Sequence, residues 1–327
     1  MANSDPGHSE INFASGLTGM ITLADIPDLQ YNFMRVIGPL TILGPGADLL
    51  TIDARHASRF FFVTMPAPGF ILSGVTLAKG HTVGHGGAIY SATTTSLRGV
   101  VIRDGISDTH GGCISIAGAN LVVIDSTITG CAADGGAGGG IFVNVGGVVL
   151  ANSTVEGNVS SAFGGGVAAT GTLQLLNSTV TGNLASADGA GFVAGNDAIV
   201  RNSIIADNLA DTGPDEFRVG GTLTISHSLV RRDSVPAVSP VINGNVIGVD
   251  PLLGPLQDNG GPTPTQGLFT GSPAIDAGNN ALIPPGSVSD QRGPGFPRIV
   301  YGTVDMGAVE VPERPVLVFA DGFEPPI

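Results

Sequence analysis

The stretch Gly164-Gly-Gly-Val-Ala-Ala-Thr-Gly-Thr-Leu-Gln-Leu-Leu-Asn-Ser-Thr-Val-Thr-Gly-Asn183 carries the pattern that decides the fold. In it, short runs of apolar and β-branched residues, such as Leu173–Leu176 and Thr179–Thr181, alternate with glycine, asparagine and serine. Such short runs between turn-forming residues predict β-strands joined by tight corners. We therefore expect a chain of short strands that changes direction every few residues.

Two markers recur along the chain with the same period. An apolar residue follows a glycine cluster at Ile89, Ile114, Ile141, Val167 and Phe192. A serine follows an aspartate, asparagine or histidine at Ser126, Ser153, Ser178, Ser203 and Ser228. Both series advance by about 25 residues at each step, and agreement between two independent series indicates a repeat architecture.

A repeat of this length is typical of a leucine-rich repeat or of a parallel β-helix coil. The leucine skeleton of the first class is missing, whereas each repeat contains three short strand-like runs separated by glycine. We predict an all-β, single-stranded right-handed parallel β-helix with three strands and about 25 residues per coil. Stacking the coils at about 4.8 Å would bury a continuous core.

Asparagines recur at two corners of the repeat. Asn158, Asn183 and Asn208 follow one another at exact single-period spacing, and a second column holds Asn152, Asn177 and Asn202. Asparagine tolerates a left-handed backbone, and stacked asparagines can hydrogen-bond along the helix as a ladder. We therefore expect these asparagines to support the corners of the coils and not to bind a ligand.

The repeat defines two regions of the chain. Residues 1–235 are predicted to form the β-helix, with a less regular texture before residue 72. Prolines interrupt the pattern from Pro236 onward, and proline is excluded from central strands. Residues 236–327 are therefore predicted to form an irregular Pro/Gly-rich cap over the last coil, which protects an open sheet edge.

Composition excludes several classes of protein and partner. Of 327 residues, 51 are glycine, 42% are hydrophobic and 12% are charged, which argues against disorder and against a helical bundle. The glycines are clustered instead of falling at every third position, which excludes collagen. A net charge of −14 disfavours nucleic acid, and polyanionic glycans unless a cation bridges them. No apolar run is long enough for a transmembrane segment.

Four motifs in the C-terminal region resemble a known domain. They are Asp250–Thr265, Gly271–Gly278, Asp290–Gly293 and Asp305–Glu310, and as a set they resemble the choice-of-anchor Q domain of bacterial right-handed β-helix repeat proteins. The resemblance implies export and a C-terminal sorting or anchoring tail. Phe319–Glu324 is similar to short tails on secreted proteins of Gram-negative bacteria.

The repeats themselves also resemble the passenger repeats of polymorphic outer-membrane adhesins. Gly86-Gly87-Ala88-Ile89 and the Val155 to Asn158 spacing carry this resemblance. Those adhesins usually have phenylalanine where this chain has valine or isoleucine, so the similarity covers the repeat alone.

The beginning of the chain matches the end of a capping segment that is common in β-helix repeat proteins. The matching residues are Ala2-Asn3, Pro6-Gly7 and Ile11-Asn12-Phe13. The resemblance implies that an export signal and an N-terminal cap precede Met1 in the complete protein. It therefore implies an extracellular location or the outer surface of a bacterium.

The two cysteines lie in adjacent predicted coils. Cys113 and Cys131 are separated by less than one period of the repeat, and Cys131 falls in the column of Asn158 and Asn183. A disulfide between neighbouring corners requires Cα atoms within about 7 Å. The alternative is two separate buried thiols.

Ionisable residues are concentrated on the early coils. His85 and His110 are one period apart and should stack on one edge, and Lys79 and Asp104, with the same spacing, are expected to pair. With Asp108, this patch gives four candidate catalytic residues, His85, Asp104, Asp108 and His110, for general acid–base chemistry or for holding a cation. The alternative is a solvated corner with an ordinary surface ion pair.

Aspartates in the C-terminal motifs are candidate calcium ligands. Carboxylates and carbonyl oxygens are the ligands that calcium takes in proteins. The candidates are Asp250, Asp276 and Asp290, with Asp258 and Asp305 in the same motifs. Aspartate in such turns more often hydrogen-bonds to its own backbone, so no firm cofactor is predicted.

Three functions remain open at this stage. The first is a secreted or surface-displayed monomer that binds an extracellular glycan or a cell-surface partner along its face. The second is a polysaccharide lyase or glycoside hydrolase, and the third is a structural spacer. An enzyme should show a groove with two carboxylates or a His/Asp pair, and a binder an exposed aromatic patch. The absence of tryptophan and the presence of only three tyrosines argue against sugar stacking.

Overall fold

Successive coils pair in parallel and form a β-solenoid of about eight turns. The computed structural model describes residues 7–23, 33–64, 69–213, 215–231 and 243–312. Within these ranges, three long sheets, A, B and C, and one narrow sheet, D, run along the solenoid. One coil passes through them in the order A, B, D and C.

The strands of each sheet come from successive coils. Sheet A consists of Ser9–Asn12, Leu40–Leu43, Phe70–Ser73, Thr95–Arg98, Leu121–Ile124, Val148–Ala151, Leu173–Leu176, Ala198–Arg201 and Leu223–Ser226. Sheet B consists of Gly19–Thr22, Leu50–Asp53, Thr76–Ala78, Val101–Arg103, Thr127–Thr129, Thr154–Glu156, Thr179–Thr181, Ile204–Ala206, Leu229–Val230 and Val246–Ile247. Sheet C consists of Met34–Val36, Phe61–Val63, Ile89–Ser91, Ile114–Ala117, Ile141–Asn144, Val167–Ala169, Phe192–Ala194 and Phe217–Val219. Sheet D consists of His81–Thr82, Ile106–Ser107, Ala132–Ala133, Val159–Ser160, Leu184–Ala185 and Leu209–Ala210.

The observed register confirms the repeat read from the sequence. The apolar markers pair directly with one another in sheet C, Ile89 with Ile114, Ile141 with Val167 and so on. The prediction of three strands per coil describes the three long sheets. Sheet D adds a fourth strand of two residues, too short to stand out as a run in the sequence.

The core is a set of apolar columns inside the solenoid. One column of sheet A pairs in register and is fully buried throughout: Leu97, Val123, Leu150, Leu175 and Val200. Near the last coils, the stacked rings of Phe192 and Phe217 lie 5.1 Å apart. Each coil thus covers the apolar face of the next, which a single coil could not do alone.

A ladder of serines supports the corner between sheets A and B. The Oγ atom of each serine accepts a hydrogen bond from the backbone N–H of the serine one coil earlier. The donor–acceptor distances are 3.2 Å for Ser126 to Ser153, 3.3 Å for Ser153 to Ser178, and 3.1 Å for both Ser178 to Ser203 and Ser203 to Ser228. These side chains give corner N–H groups the partner that they lack where strand pairing is interrupted.

A buried asparagine ladder, Asn158, Asn183 and Asn208, supports the corner between sheets B and D, as predicted. Asn158 Nδ2 donates to Asn183 Oδ1 at 2.9 Å, and Asn183 Nδ2 donates to Asn208 Oδ1 at 2.9 Å. The backbone N–H of Asn158 also donates to Asn183 Oδ1, at 3.0 Å. The left-handed backbone expected here lies elsewhere, at the glycines just before the first two ladder asparagines and in the second column, Asn152, Asn177 and Asn202.

Cys113 and Cys131 form a disulfide. Their Cα atoms are 5.5 Å apart, and both side chains are buried. Cys131 also donates its backbone N–H to Asn158 Oδ1 at 3.0 Å, so the disulfide adjoins the asparagine ladder. The bond therefore ties the glycine corner of one coil to the ladder corner of the next.

Sheet B continues past residue 235, because Val246–Ile247 pairs with Leu229–Val230 of the last coil. The described residues beyond Pro251 lie along the outer face of sheet B. Sheet B presents a column of threonines outward, and residues beyond Pro251 contact it over several coils. Thr127 Oγ1 donates to Pro264 O at 2.7 Å, and the N–H of Ala308 donates to Thr179 Oγ1 at 3.1 Å. An antiparallel hairpin, Leu253–Gln257 with Thr265–Leu268, belongs to this layer.

Gln291 connects the two layers by hydrogen bonds to two successive coils. Its Oε1 accepts from Thr154 Oγ1 at 2.6 Å, and its Nε2 donates to Thr127 Oγ1 at 2.8 Å and to Thr263 Oγ1 at 3.1 Å. Further along, Asn202 exchanges hydrogen bonds with the backbone of Asn279. The threonines of sheet B thus bond to side-chain and backbone groups of the C-terminal region, and this polar sheet face is buried between two layers.

A buried ionic cluster holds the C-terminal motifs together. Arg292 pairs with Asp290 at 2.6 Å, and Arg298 lies 3.4 Å from Glu310. Glu310 also accepts backbone N–H bonds from Val300 and Asp305, both at 2.9 Å. Burial, reinforced by the charge of Asp305, nevertheless raises the pKa of Glu310 to about 7. Charges this deeply buried are tolerated only when paired and hydrogen-bonded.

Replacing Asn183 with Ala should lower the free energy of unfolding by about 2–4 kcal/mol, because it leaves the buried backbone N–H of Asn158 without a partner and removes one of the two hydrogen bonds of Asn158 Nδ2. Denaturant unfolding of the wild type and variant measures this difference. Asn196→Ala, on an exposed turn, is the matched control and should change stability by less than about 0.5 kcal/mol. Equal effects of the two substitutions would contradict the role of the ladder.

The stability of the protein should decrease as the pH rises from about 4.5 to about 7, because the folded state raises the pKa of Glu310 and so favours its protonated form. The full contribution is about 3 kcal/mol. Unfolding free energies measured across this range should fall less steeply for Glu310→Gln than for the wild type. Asp211→Asn, an exposed carboxylate, should keep the wild-type slope.

Candidate functional site

The outer face of sheet C carries a column of aromatic residues on the early coils. The residue after each apolar marker points outward because side chains alternate along a strand. Phe62, Tyr90, Ser115 and Phe142 occupy this position and pair in register. Phe62, Tyr90 and Phe142 are half-buried, whereas Ser115 is small and buried and leaves a depression between the rings.

Two histidines complete a continuous stack of rings, which we call the aromatic ladder: Phe62, Tyr90, His85, His110 and Phe142. The ring centroids of successive members are 4.9, 6.4, 5.4 and 4.5 Å apart, and their planes differ by 15 to 22°. His85 and His110 come from the turns before consecutive strands of sheet C, so the predicted histidine stack is confirmed.

The aromatic ladder borders an open groove of about 440 Å³. Tyr90 and Phe142 stand at its two ends, the histidines lie along one side, and Asn144 lies near Phe142. Flat apolar rings with a few polar groups are the composition of a small-molecule site. The groove is therefore the candidate functional site.

The surroundings of both imidazoles disfavour their protonation. The backbone N–H of Ala137 donates to His110 Nδ1 at 2.9 Å, so this nitrogen carries the lone pair and Nε2 carries the proton. Burial, with the charge of His85 second, lowers the pKa of His110, and burial, with Arg59 second, lowers the pKa of His85. His110 can therefore donate a hydrogen bond from Nε2, while its basic nitrogen is already occupied.

The structure separates the four predicted catalytic residues. His85 and His110 lie in the groove, but Asp104 is bound by Arg103 at 2.6 Å. Asp108 pairs with His81 at 3.4 Å, and both are well exposed. Among the described residues neither groove histidine forms an ion pair with a carboxylate, so the geometry provides no acid–base pair within the groove.

The predicted pair between Lys79 and Asp104 is wrong. Lys79 Nζ lies 3.2 Å from the buried carboxylate of Asp53, in the preceding coil. Lys79 and Asp104 occupy the same left-handed corner position in consecutive coils, with φ of 56° and 57°. The Lys79 side chain thus compensates a buried charge, whereas Asp104 is neutralised by its own neighbour Arg103.

The candidate calcium ligands are engaged with protein groups. Asp290 accepts from Arg292 and from the N–H of Glu310, and Asp250 pairs with Arg231 at 3.0 Å. Asp276 donates its backbone N–H to Asp305 Oδ1 at 2.6 Å. Within the described ranges, no group of three or more histidine, cysteine or acidic residues is placed to hold a metal ion.

The sequence analysis did not predict the aromatic platform, because it considered the number of aromatic residues and not their positions within the repeat. The signal was nevertheless in the sequence: Tyr90, Ser115 and Phe142 each follow an aligned apolar marker. A small number of rings is enough for a platform when the register places them on one face. The expectation that stacking surfaces are lacking is therefore wrong for sheet C.

Comparison of the chain with protein-family models, with curated proteins and with solved structures gives no match. Across the described residues we find no helix of the length and hydrophobicity that a membrane span requires.

The pKa of His110 should be lower in the folded protein than in the unfolded chain, with the proton on Nε2 in the neutral form, because burial and the Ala137 N–H both oppose protonation of Nδ1. Long-range ¹H–¹⁵N correlation spectra recorded against pH measure the pKa and the tautomer together. The urea-unfolded chain supplies the reference. A folded-state pKa above that reference would restore His110 as a candidate base.

Proposed function

We propose that this protein is a secreted or cell-surface β-helix protein that binds a carbohydrate in the groove beside the aromatic ladder. The observation that carries the proposal is the stack of nearly parallel, half-buried rings on sheet C, three of which line the groove together with Tyr90. Aromatic side chains offer large apolar faces that suit the C–H face of a sugar ring. His110 Nε2 and Asn144 supply polar contacts for the hydroxyl groups.

The resemblance of the C-terminal motifs to choice-of-anchor Q domains supports a location outside a bacterial cell. The resemblance of the repeats to adhesin passengers agrees with a binding role for a long solenoid face. We infer a glycan or cell-surface partner on these grounds, and a monomer as the binding form. The negative net charge argues against nucleic acid.

Phe142→Ala should weaken saccharide binding about five- to tenfold, because it removes one end of the platform. A glycan array identifies a ligand, and calorimetry then measures its affinity for the wild type and variants. Phe163→Ala is the matched control. Phe163 occupies the same turn position as His85 and His110, two coils after His110, but it does not line the groove. Absence of binding to every saccharide, or equal losses for both variants, would contradict the proposal.

A second candidate function is carbohydrate cleavage, which the exposed His81–Asp108 pair favours. If the protein is a lyase or hydrolase, Asp108→Asn should abolish the release of unsaturated or reducing ends while leaving saccharide binding within about twofold of wild type. An activity screen with no product from any bound polysaccharide leaves binding as the sole role of the groove.

A further inference from the structure

A cavity of about 460 Å³ lies between the corner that joins sheets A and B and the C-terminal region. Its solenoid wall includes Arg98, Ile124 and Asp125, and its other wall comes from residues 284–290 and 293–294. This volume is within the range of small-molecule sites. The cavity is separate from the groove beside the aromatic ladder, because the two share no lining residue.

Both members of one ion pair line this cavity. Arg98 Nη2 lies 3.3 Å from Asp125 Oδ2, and Asp125 Oδ1 accepts a hydrogen bond from Asn152 Nδ2 at 3.3 Å. The Arg98 side chain is 67% exposed, whereas that of Asp125 is 21% exposed. Burial raises the pKa of Asp125, and the charge of Arg98 opposes this rise only in part. A second cation beside the carboxylate would therefore be stabilised.

The carboxylate of Asp125 is not needed to form its corner. Asn152, Asn177 and Asn202 occupy the same left-handed position in the next three coils, with φ of 45 to 49° against 53° for Asp125. An uncharged amide thus serves this corner in three consecutive coils. The negative charge appears at a coil whose corner lines the cavity.

The rest of the cavity lining is largely apolar. Asp290, the other acidic residue in the lining, is already paired with Arg292 at 2.6 Å. The cavity thus combines two adjacent opposite charges with apolar walls. The residues that form these walls are Ile124, Ala151, Pro284, Pro285, Val288 and Pro294.

We propose that this cavity binds a free α-amino acid with an apolar side chain. Its ammonium group pairs with Asp125, its carboxylate pairs with Arg98, and its side chain contacts the apolar walls. The nitrogen of an α-amino acid lies about 2.7 Å from its nearer carboxylate oxygen. That separation is close to the 3.3 Å between Arg98 Nη2 and Asp125 Oδ2.

The two separations allow four charged groups to alternate in sign around one ring. The existing ion pair can therefore stay closed while each member gains a second charge-assisted hydrogen bond. A ligand with a single charge, or with two charges far apart, cannot complete this ring. The site is independent of the carbohydrate function proposed above.

Calorimetry with L-leucine, 6-aminohexanoate, L-leucinamide and N-acetyl-L-leucine tests the proposal. 6-Aminohexanoate is an isomer of leucine whose charges are far apart, and each of the last two molecules lacks one charge. The wild type should bind leucine at least about tenfold more tightly than the other three. Asp125→Asn and Arg98→Gln should each weaken leucine binding at least about tenfold. Asp125→Asn should fold, because asparagine forms the same corner in the next three coils.

Arg218→Gln is the matched control. Arg218 pairs with Asp188 at 3.2 Å, with 48% and 24% of the two side chains exposed, but neither residue lines the cavity. This variant, and Phe142→Ala in the groove, should leave leucine binding within about twofold of wild type.

Three results would overturn the proposal. They are no binding of leucine, binding of any of the other three molecules as tight as that of leucine, and an equal loss of leucine binding in Arg218→Gln and Arg98→Gln. Each of them leaves the carbohydrate function standing, because the two sites share no residue. Failure of the carbohydrate function equally leaves this site to be judged by leucine binding alone.

Discussion

Backbone N–H groups at the corners of each coil need hydrogen-bond partners, and this demand governs the rest of the structure. At two of the corners strand pairing is interrupted, and a side chain from the next coil supplies the acceptor. Ser153 Oγ and Asn183 Oδ1 do so at two different corners. Because each acceptor comes from one coil later at a fixed position, the ladders fix the period of the repeat and the register of the sheets between them.

The same register produces the candidate site. Once coils are aligned residue by residue, turn residues such as His85 and His110 stack, as do outward strand residues such as Phe62 and Tyr90. The rings stack because the coils that carry them stack, so the candidate site requires no structure beyond the solenoid itself. The C-terminal region covers the threonines of sheet B, whereas the aromatic face of sheet C remains partly exposed. The surface that we propose for binding therefore lies on one side of the solenoid.

Sequence periodicity predicted the apolar columns, the asparagine ladder and the histidine stack, since the members of each are one period apart. It failed where the partner of a side chain is not the residue one period away. Lys79 pairs backward with Asp53 in a less regular coil, and Gln291 meets Thr127 across 164 residues. The position of the C-terminal region depends on such long-range contacts, which the period of the repeat does not specify. Function remained open because an aromatic face acquires meaning only once its neighbours are known.

The C-terminal region changes how the solenoid responds to unfolding. In a simple solenoid each coil touches only adjacent coils, so the ends can fray while the middle persists. Here one segment bonds to Thr127, Thr154, Thr179 and Asn202, and so spans four consecutive coils. Loss of any of these coils loosens the segment that the others share. The segment therefore couples the unfolding of coils that would otherwise depend only on their neighbours. Under mechanical load, it makes the unfolding of one coil at a time unfavourable.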